Sequence, residues 1–144
     1  MNILIVDDSM ICRNIMKKLF NNNDFVDLIF IANNGLEAIK QITLNKDEIN
    51  FVLIDNEMPV LNGTHTVRHL RDIHYDKIIF GITSSTGDLI QDFENSGIDY
   101  LFSKPFDENK LNMLIDFISK YGFYRMKNKK IMMNDKGRLN WVYS

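Results

Sequence analysis

Five polar side chains stand directly after short apolar runs: Asp7 and Asp8 after residues 3–6, Asp55 after residues 51–54, Thr83 after residues 78–82, and Lys104 beyond residues 100–102. Three carboxylates gathered at one place repel one another and show raised pKa values unless a cation stands among them. A hard divalent cation answers that repulsion. Magnesium takes oxygen ligands in octahedral geometry, keeps several waters, and is usually held by one or two protein carboxylates together with phosphate oxygens. Such a set is half a site, completed by a phosphoryl group. The compact charge of Lys104 and the hydroxyl of Thr83 suit the equatorial oxygens of a phosphoryl group in transfer. Asp55 is the natural nucleophile, because carboxylates accept phosphoryl groups as aspartyl-phosphates. Taken singly, each residue has an ordinary role as an N-cap, a satisfied hydroxyl or a solvated lysine. Delivery of complementary charges to one edge by four strands lifts the set above that.

The elements that must position these groups alternate along the chain. Residues 3–6 form a continuous apolar run of the kind buried on both faces of a parallel sheet. A helix follows, with Ser9 as its N-cap and Cys12, Ile15, Met16, Leu19 and Phe20 at helical spacing until the breakers Asn21, Asn22 and Asn23. Residues 26–32 read as a second strand, 35–42 as a helix and 51–54 as a third strand ending in Asp55. After a loop punctuated by Pro59 and Gly63, helical spacing resumes at Val67 and Leu70. Residues 78–82 give a fourth strand. Leu89, Ile90 and Phe93 mark a fourth helix with Gly97 as its C-terminal cap. Residues 100–102 give a fifth strand, and Leu111, Leu114, Ile115 and Ile118 a last helix capped by Asp107. Five strands alternating with five helices predict an α/β fold, a doubly wound parallel sheet with helices on both faces. Ligands of such sheets bind beyond the carboxyl ends of the strands, where the five polar residues fall.

The motifs Ile3-Leu4-Ile5-Val6-Asp7-Asp8-Ser9, Asp55-Asn56-Glu57-Met58-Pro59-Val60-Leu61-Asn62-Gly63, Ile82-Thr83-Ser84 and Ser103-Lys104-Pro105-Phe106 together resemble the receiver domain of two-component response regulators. The resemblance covers residues 1–120 and implies a flavodoxin-like sheet of order 2-1-3-4-5. It implies that Asp55 accepts a phosphoryl group from a phosphohistidine on a histidine kinase or histidine phosphotransfer protein. Asp8 and Asp55 would bind Mg2+ directly, Asp7 through water and Glu57 through its main-chain carbonyl. Lys104 would pair with the phosphoryl group and Thr83 would rotate its hydroxyl onto it. No separate substrate is implied, since such a chain catalyses its own magnesium-dependent phosphorylation and dephosphorylation.

A phosphoryl group brings up to about two negative charges and three acceptor oxygens, which would draw Thr83 and Lys104 inward and repack the face of the fourth helix, fifth strand and fifth helix. Shifting a population from 1:99 to 99:1 takes about 5.5 kcal/mol. Two charge-assisted contacts at ~1.5–3 kcal/mol each approach that. The sequence departs from its relatives at Leu101, where the switch position three residues before the lysine is usually aromatic. Tyr100 and Phe102 flank it but point to the opposite face of the strand. Ser84 stands where relatives often carry a smaller residue, and Glu57 adds a charge beside the site.

The 144 residues suit one domain, and 45% hydrophobic with 25% charged residues is ordinary globular composition. No apolar run reaches the ~18 residues of a membrane span, and the start has no basic leader, so a cytoplasmic location is expected. The single Cys12 excludes an intramolecular disulfide and reads as a small core residue. His65 and His69, four residues apart, lack a third ligand and read as a solvated pair. The net charge of −2 hides a division: residues 1–119 carry 10 basic and 18 acidic side chains, residues 120–144 carry 7 and 1. The extension, residues 121–144, interleaves its cations with Ile131, Met132, Leu139, Trp141 and Tyr143 and reads as a hairpin turning at Asp135-Lys136-Gly137. An isolated hairpin is marginal in water, so it is expected to pack on its own receiver or on a second copy as a homodimer. The expectation is a single-domain response regulator signalling to a downstream protein. One rival is a pseudo-receiver that works without phosphorylation. Another is a nucleic-acid binder using the basic tail, disfavoured because no helix-turn-helix pattern follows.

Overall fold

The side chains of residues 3–6 alternate between two apolar layers, and this alternation organises the computed structural model, which describes residues 1–144. The elements run β1 (Asn2–Val6), α1 (Met10–Asn21), β2 (Leu28–Ala32), α2 (Gly35–Asn45), β3 (Phe51–Asp55), α3 (Gly63–Asp72), β4 (Ile79–Thr83), α4 (Asp88–Glu94), β5 (Tyr100–Ser103), α5 (Glu108–Tyr121), β6 (Lys129–Met133) and β7 (Leu139–Tyr143). The first five strands form one parallel sheet in the order β2-β1-β3-β4-β5, as expected. On one face Ile3, Ile5, Phe51, Phe80 and Phe102 pack with Met16 and Phe20 of α1 and Leu114 and Phe117 of α5. On the other Leu4, Val6, Val52, Ile54 and Ile79 meet Ile42 of α2, Val67 and Leu70 of α3 and Phe93 of α4. No helix is long and apolar enough to cross a membrane.

The helix starts are set by side-chain caps. Ser9, Asn34, Asn62 and Asp107 accept hydrogen bonds from the main-chain N–H of Cys12, Glu37, His65 and Lys110. Strands β1, β4 and β5 shift by a residue at one or both ends, and three larger differences have local causes. The helix α2 runs to Asn45, past the last residue of its apolar stripe, with the Thr43 hydroxyl bonded to the Ile39 carbonyl. The strand β2 starts at Leu28, because the Asn23 side chain takes the N–H of Phe25 into a local turn. The expected capping of α4 by Gly97 is corrected: the cap is Asn95, whose N–H donates to the Gln91 carbonyl while the next N–H, of Ser96, donates to that of Phe93. Gly97 lies beyond it at φ +119, where a Cβ would stand 3.0 Å from Arg71 Cγ.

The extension folds back on its own body. Ile78 N–H donates to the Phe123 carbonyl at 2.8 Å, and Lys77 and Tyr124 form an antiparallel bridge. Asp99 accepts from Arg71 at 2.9 Å and from Arg125 at 2.7 Å, so one carboxylate ties α3, β5 and the extension together. The strands β6 and β7 pair antiparallel, with Asn134 accepting the N–H of Lys136 and Arg138 and Gly137 at φ +73. Ile131, Leu139 and Trp141 join the core on the α5 side, and the rings of Trp141 and Phe117 are 5.4 Å apart. Of the seven basic residues after position 119, Arg125 alone forms an ion pair with the acidic body. Apolar packing holds the tail, charge hardly at all.

Candidate functional site

All five polar residues arrive at the carboxyl ends of the parallel strands. Asp7 follows β1 and is fully buried; its Oδ1 accepts the Ser9 N–H at 2.9 Å and its Oδ2 accepts Lys104 Nζ at 3.0 Å. Asp8 is exposed and opens the notch to solvent. Asp55, the last residue of β3, is buried with Oδ2 at 3.4 Å from the same ammonium. One carboxylate oxygen from each of Asp7, Asp8 and Asp55 lies within 4.8 Å of the others. Burial and the neighbouring Asp7 charge push the Asp55 carboxyl up to about 6, against the lowering pull of Lys104. Burial pulls Lys104 down, but its hydrogen bond to Asp7 and the charges of Asp55 and Asp7 outweigh this and raise it.

Three hard oxygen donors face one ammonium, and burial drives the Asp55 carboxyl toward its neutral form. That donor set fits a hard divalent cation. The Glu57 side chain is exposed and its carboxylate stands outside the cluster, so its side chain is not brought into the site. Thr83 ends β4, buried, and its hydroxyl accepts the Ser85 N–H at 3.0 Å. Its carbonyl accepts the Lys104 N–H at 2.8 Å, and the Lys104-Pro105 peptide is cis.

The loop after Asp55 is held by Asn56, which accepts both the N–H and the hydroxyl of Thr64. Gly63 is required there, since a Cβ would stand 2.4 Å from the Asp55 carbonyl. Val60, exposed in the same loop, sits at φ +71, a left-handed conformation that costs a β-branched residue dearly. Leu101 packs into the α3–α4 side of the core, and Tyr100 and Phe102 into the other.

Three neighbours escaped the sequence reading. Arg13 Nη1 donates to the Asp7 carbonyl at 2.7 Å, Asn56 anchors the loop, and Cys12 Sγ lies 3.9 Å from Lys104 Nζ. The expectation that Cys12 is a core residue is only half met, since it is partly exposed in a recess with Lys104, Pro105 and Phe106. His65 and His69 are exposed, His65 bonding Asn62.

The family model "Response regulator receiver domain" matches residues 3–116. A hybrid signal transduction histidine kinase A of Dictyostelium discoideum is 32% identical over 127 residues, which cover 84% of this chain and 6% of that protein. The chain spans under a quarter of the length of the first three curated relatives it matches. Among solved structures, a CheX–CheY–BeF3–Mg complex of Borrelia burgdorferi superposes with TM-score 0.74 at 23% identity, covering 83% of this chain and 88% of that one. A Saccharomyces cerevisiae complex of the histidine phosphotransfer protein Ypd1 with the receiver domain of Ssk1 superposes with TM-score 0.69 at 23% identity, covering 80% and 86%. At these identities the structures speak for the fold.

Proposed function

This chain belongs to the response regulator receiver family of two-component signalling, and from that premise we propose that Asp55 is its phosphoryl acceptor and a phosphohistidine protein its donor. The observation that carries this is the convergence of Asp7, Asp8 and Asp55 around Lys104 at the carboxyl ends of the strands. Asp7, Asp8 and Asp55, with the main chain at Glu57, would hold Mg2+. Bound there, the ion supplies charge neutralisation for the incoming phosphoryl oxygens and for the acceptor carboxylate.

The chain's own residues do the rest. A carboxylate oxygen of Asp55 forms the bond to phosphorus as the phosphorus–nitrogen bond of the donor breaks. Lys104 is already at the acceptor's edge and turns from Asp7 toward the new charge. The Thr83 hydroxyl exchanges the Ser85 N–H for a phosphoryl oxygen. There is no separate substrate: the loaded chain is itself the signal, passed to a histidine phosphotransfer protein or a downstream protein. Incubation with acetyl phosphate and magnesium is expected to add the mass of one phosphoryl group, and the gain is expected to vanish in Asp55→Asn. No gain with any donor would favour a pseudo-receiver.

A further inference from the structure

Thr83, Ile90, Tyr100, Met113 and Met133 line one groove of about 380 Å³. One end holds the hydroxyl that answers a phosphoryl group; the other is walled by the hairpin. Behind Tyr100 a second recess, lined by Glu94, Tyr100 and Leu101, is closed by Lys130, Ile131 and Met132 of β6. Glu94, Tyr100 and Leu101 line both recesses, and Tyr100 is the aromatic wall shared by the responsive groove and the hairpin seat. We propose that the hairpin β6–β7 is this chain's own occupant of the face that reads the state of Asp55, docked when Asp55 is free and loosened when it carries a phosphoryl group. The proposal rests on Asp55 being a phosphoryl acceptor.

The seat is built for release. No hydrogen-bonded ladder joins β6 to β5, since the two sheets are separate. Ile131, Leu139 and Trp141 anchor the hairpin, while Met132 and Met133 remain about half exposed at 48% and 55%. A two-stranded unit held by side-chain packing and the Tyr121 hydroxyl donating to Asn140 Oδ1 at 3.0 Å, with no main-chain ladder to the body, belongs to the low-stability end of a structure and opens locally before the rest. The tether stays fixed: Phe123 is bonded to Ile78 and Arg125 to Asp99, and Asn128, at φ +62, precedes the first strand of the hairpin.

The coupling runs through two residues. At rest the Thr83 hydroxyl accepts the Ser85 N–H, so turning it onto a phosphoryl oxygen frees the 84–86 loop at the groove mouth. With Leu101 packed into the opposite core, the aromatic ring facing the hairpin is Tyr100, set edge-on to Phe102 at 4.9 Å. The open groove gives that ring room to shift away from Ile131. Loosening then uncovers Phe117 and the β5 edge for a downstream protein.

Amide hydrogen exchange on the full chain, with and without magnesium and beryllofluoride, tests this alongside the emission of Trp141, the only tryptophan. Exchange across 129–143 should accelerate about tenfold on loading, with a red shift of Trp141, and neither should occur in Asp55→Asn. In Tyr100→Leu, loading should proceed while the acceleration falls below about threefold. A phosphoryl adduct seen by mass with acetyl phosphate, but hairpin exchange unchanged, overturns the proposal and leaves Asp55 as acceptor. A full response in Tyr100→Leu overturns the route through Tyr100. Absence of any adduct overturns both the acceptor role and this proposal.

Discussion

Asp7 holds Lys104 at 3.0 Å, closer than the 3.4 Å between that lysine and Asp55. The cation thus rests on the fully buried carboxylate of Asp7, within reach of the proposed acceptor. Replacement of Lys104 by Met keeps the stem and removes the charge. Phosphoryl incorporation, followed by mass spectrometry, should slow by on the order of a hundredfold, as when a positioned electrostatic contact is lost. Without magnesium, the Asp55 titration seen by NMR should move further above about 6, because Lys104 now lowers it.

Asp55 is raised from 3.8 to about 6, chiefly by burial and then by Asp7. The folded state therefore binds more protons than the unfolded one between those values, so this residue lowers stability progressively as pH rises from about 4 to 6, and by its full amount above that. In chelator at pH 7, Asp55→Asn should raise stability by about 3 kcal/mol, and at pH 3.5 the difference should nearly vanish. Urea melts at both pH values check the sign. Magnesium should raise the melting temperature of the native chain and leave Asp55→Asn much less affected.

Val60 pays for its left-handed φ of +71 at an exposed loop position. Val60→Gly should stabilise by about 1 kcal/mol without slowing phosphoryl incorporation, and an unchanged or lower denaturation midpoint would contradict the strain.

The two arginines on Asp99 should behave differently. Arg71, with 13% of its side chain exposed, bonds the Tyr75, Lys77 and Gly97 carbonyls as well as Asp99, and burial lowers its pKa to about 10 despite that partner. Its removal leaves the buried Asp99 with only the half-exposed Arg125 and the Ile79 N–H, and three main-chain carbonyls without their donor, so Arg71→Ala should cost about 3–5 kcal/mol. Arg125 is 41% exposed, and Arg125→Ala should cost no more than about 1 kcal/mol. Urea midpoints at constant slope discriminate the two.

Trp141 packs on Phe117 but its buried Nε1 has no acceptor. Trp141→Ala should cost about 3 kcal/mol, while Trp141→Phe, which drops the unpaired donor, should cost less than about 1 kcal/mol. Equal losses would mean that the indole N–H, not ring packing, anchors the hairpin.

Strand-end chemistry was legible because local rules set it: a doubly buried apolar run must be a central parallel strand, and the polar residue at its end stands at the ligand edge. Asp7, Asp55 and Lys104 were readable on that ground, as were the caps Ser9 and Asp107. The Gly97 cap was misjudged because its φ of +119 serves the close approach of Arg71, a partner 26 residues away. Arg13 and Asn56 escaped because their partners are a main-chain carbonyl and a hydroxyl that no spacing rule ties to them.

The order of apolar and polar residues by itself determined the alternating strands and helices, the edge where the acids gather, and the hairpin, since period and turn chemistry act within a few residues of chain. Only the tertiary structure decided that Lys104 rests on Asp7, 97 residues away, and that Tyr100 stands between the Thr83 groove and β6. Both depend on how far side chains reach across packed elements. That reach is set by burial and competing partners in three dimensions.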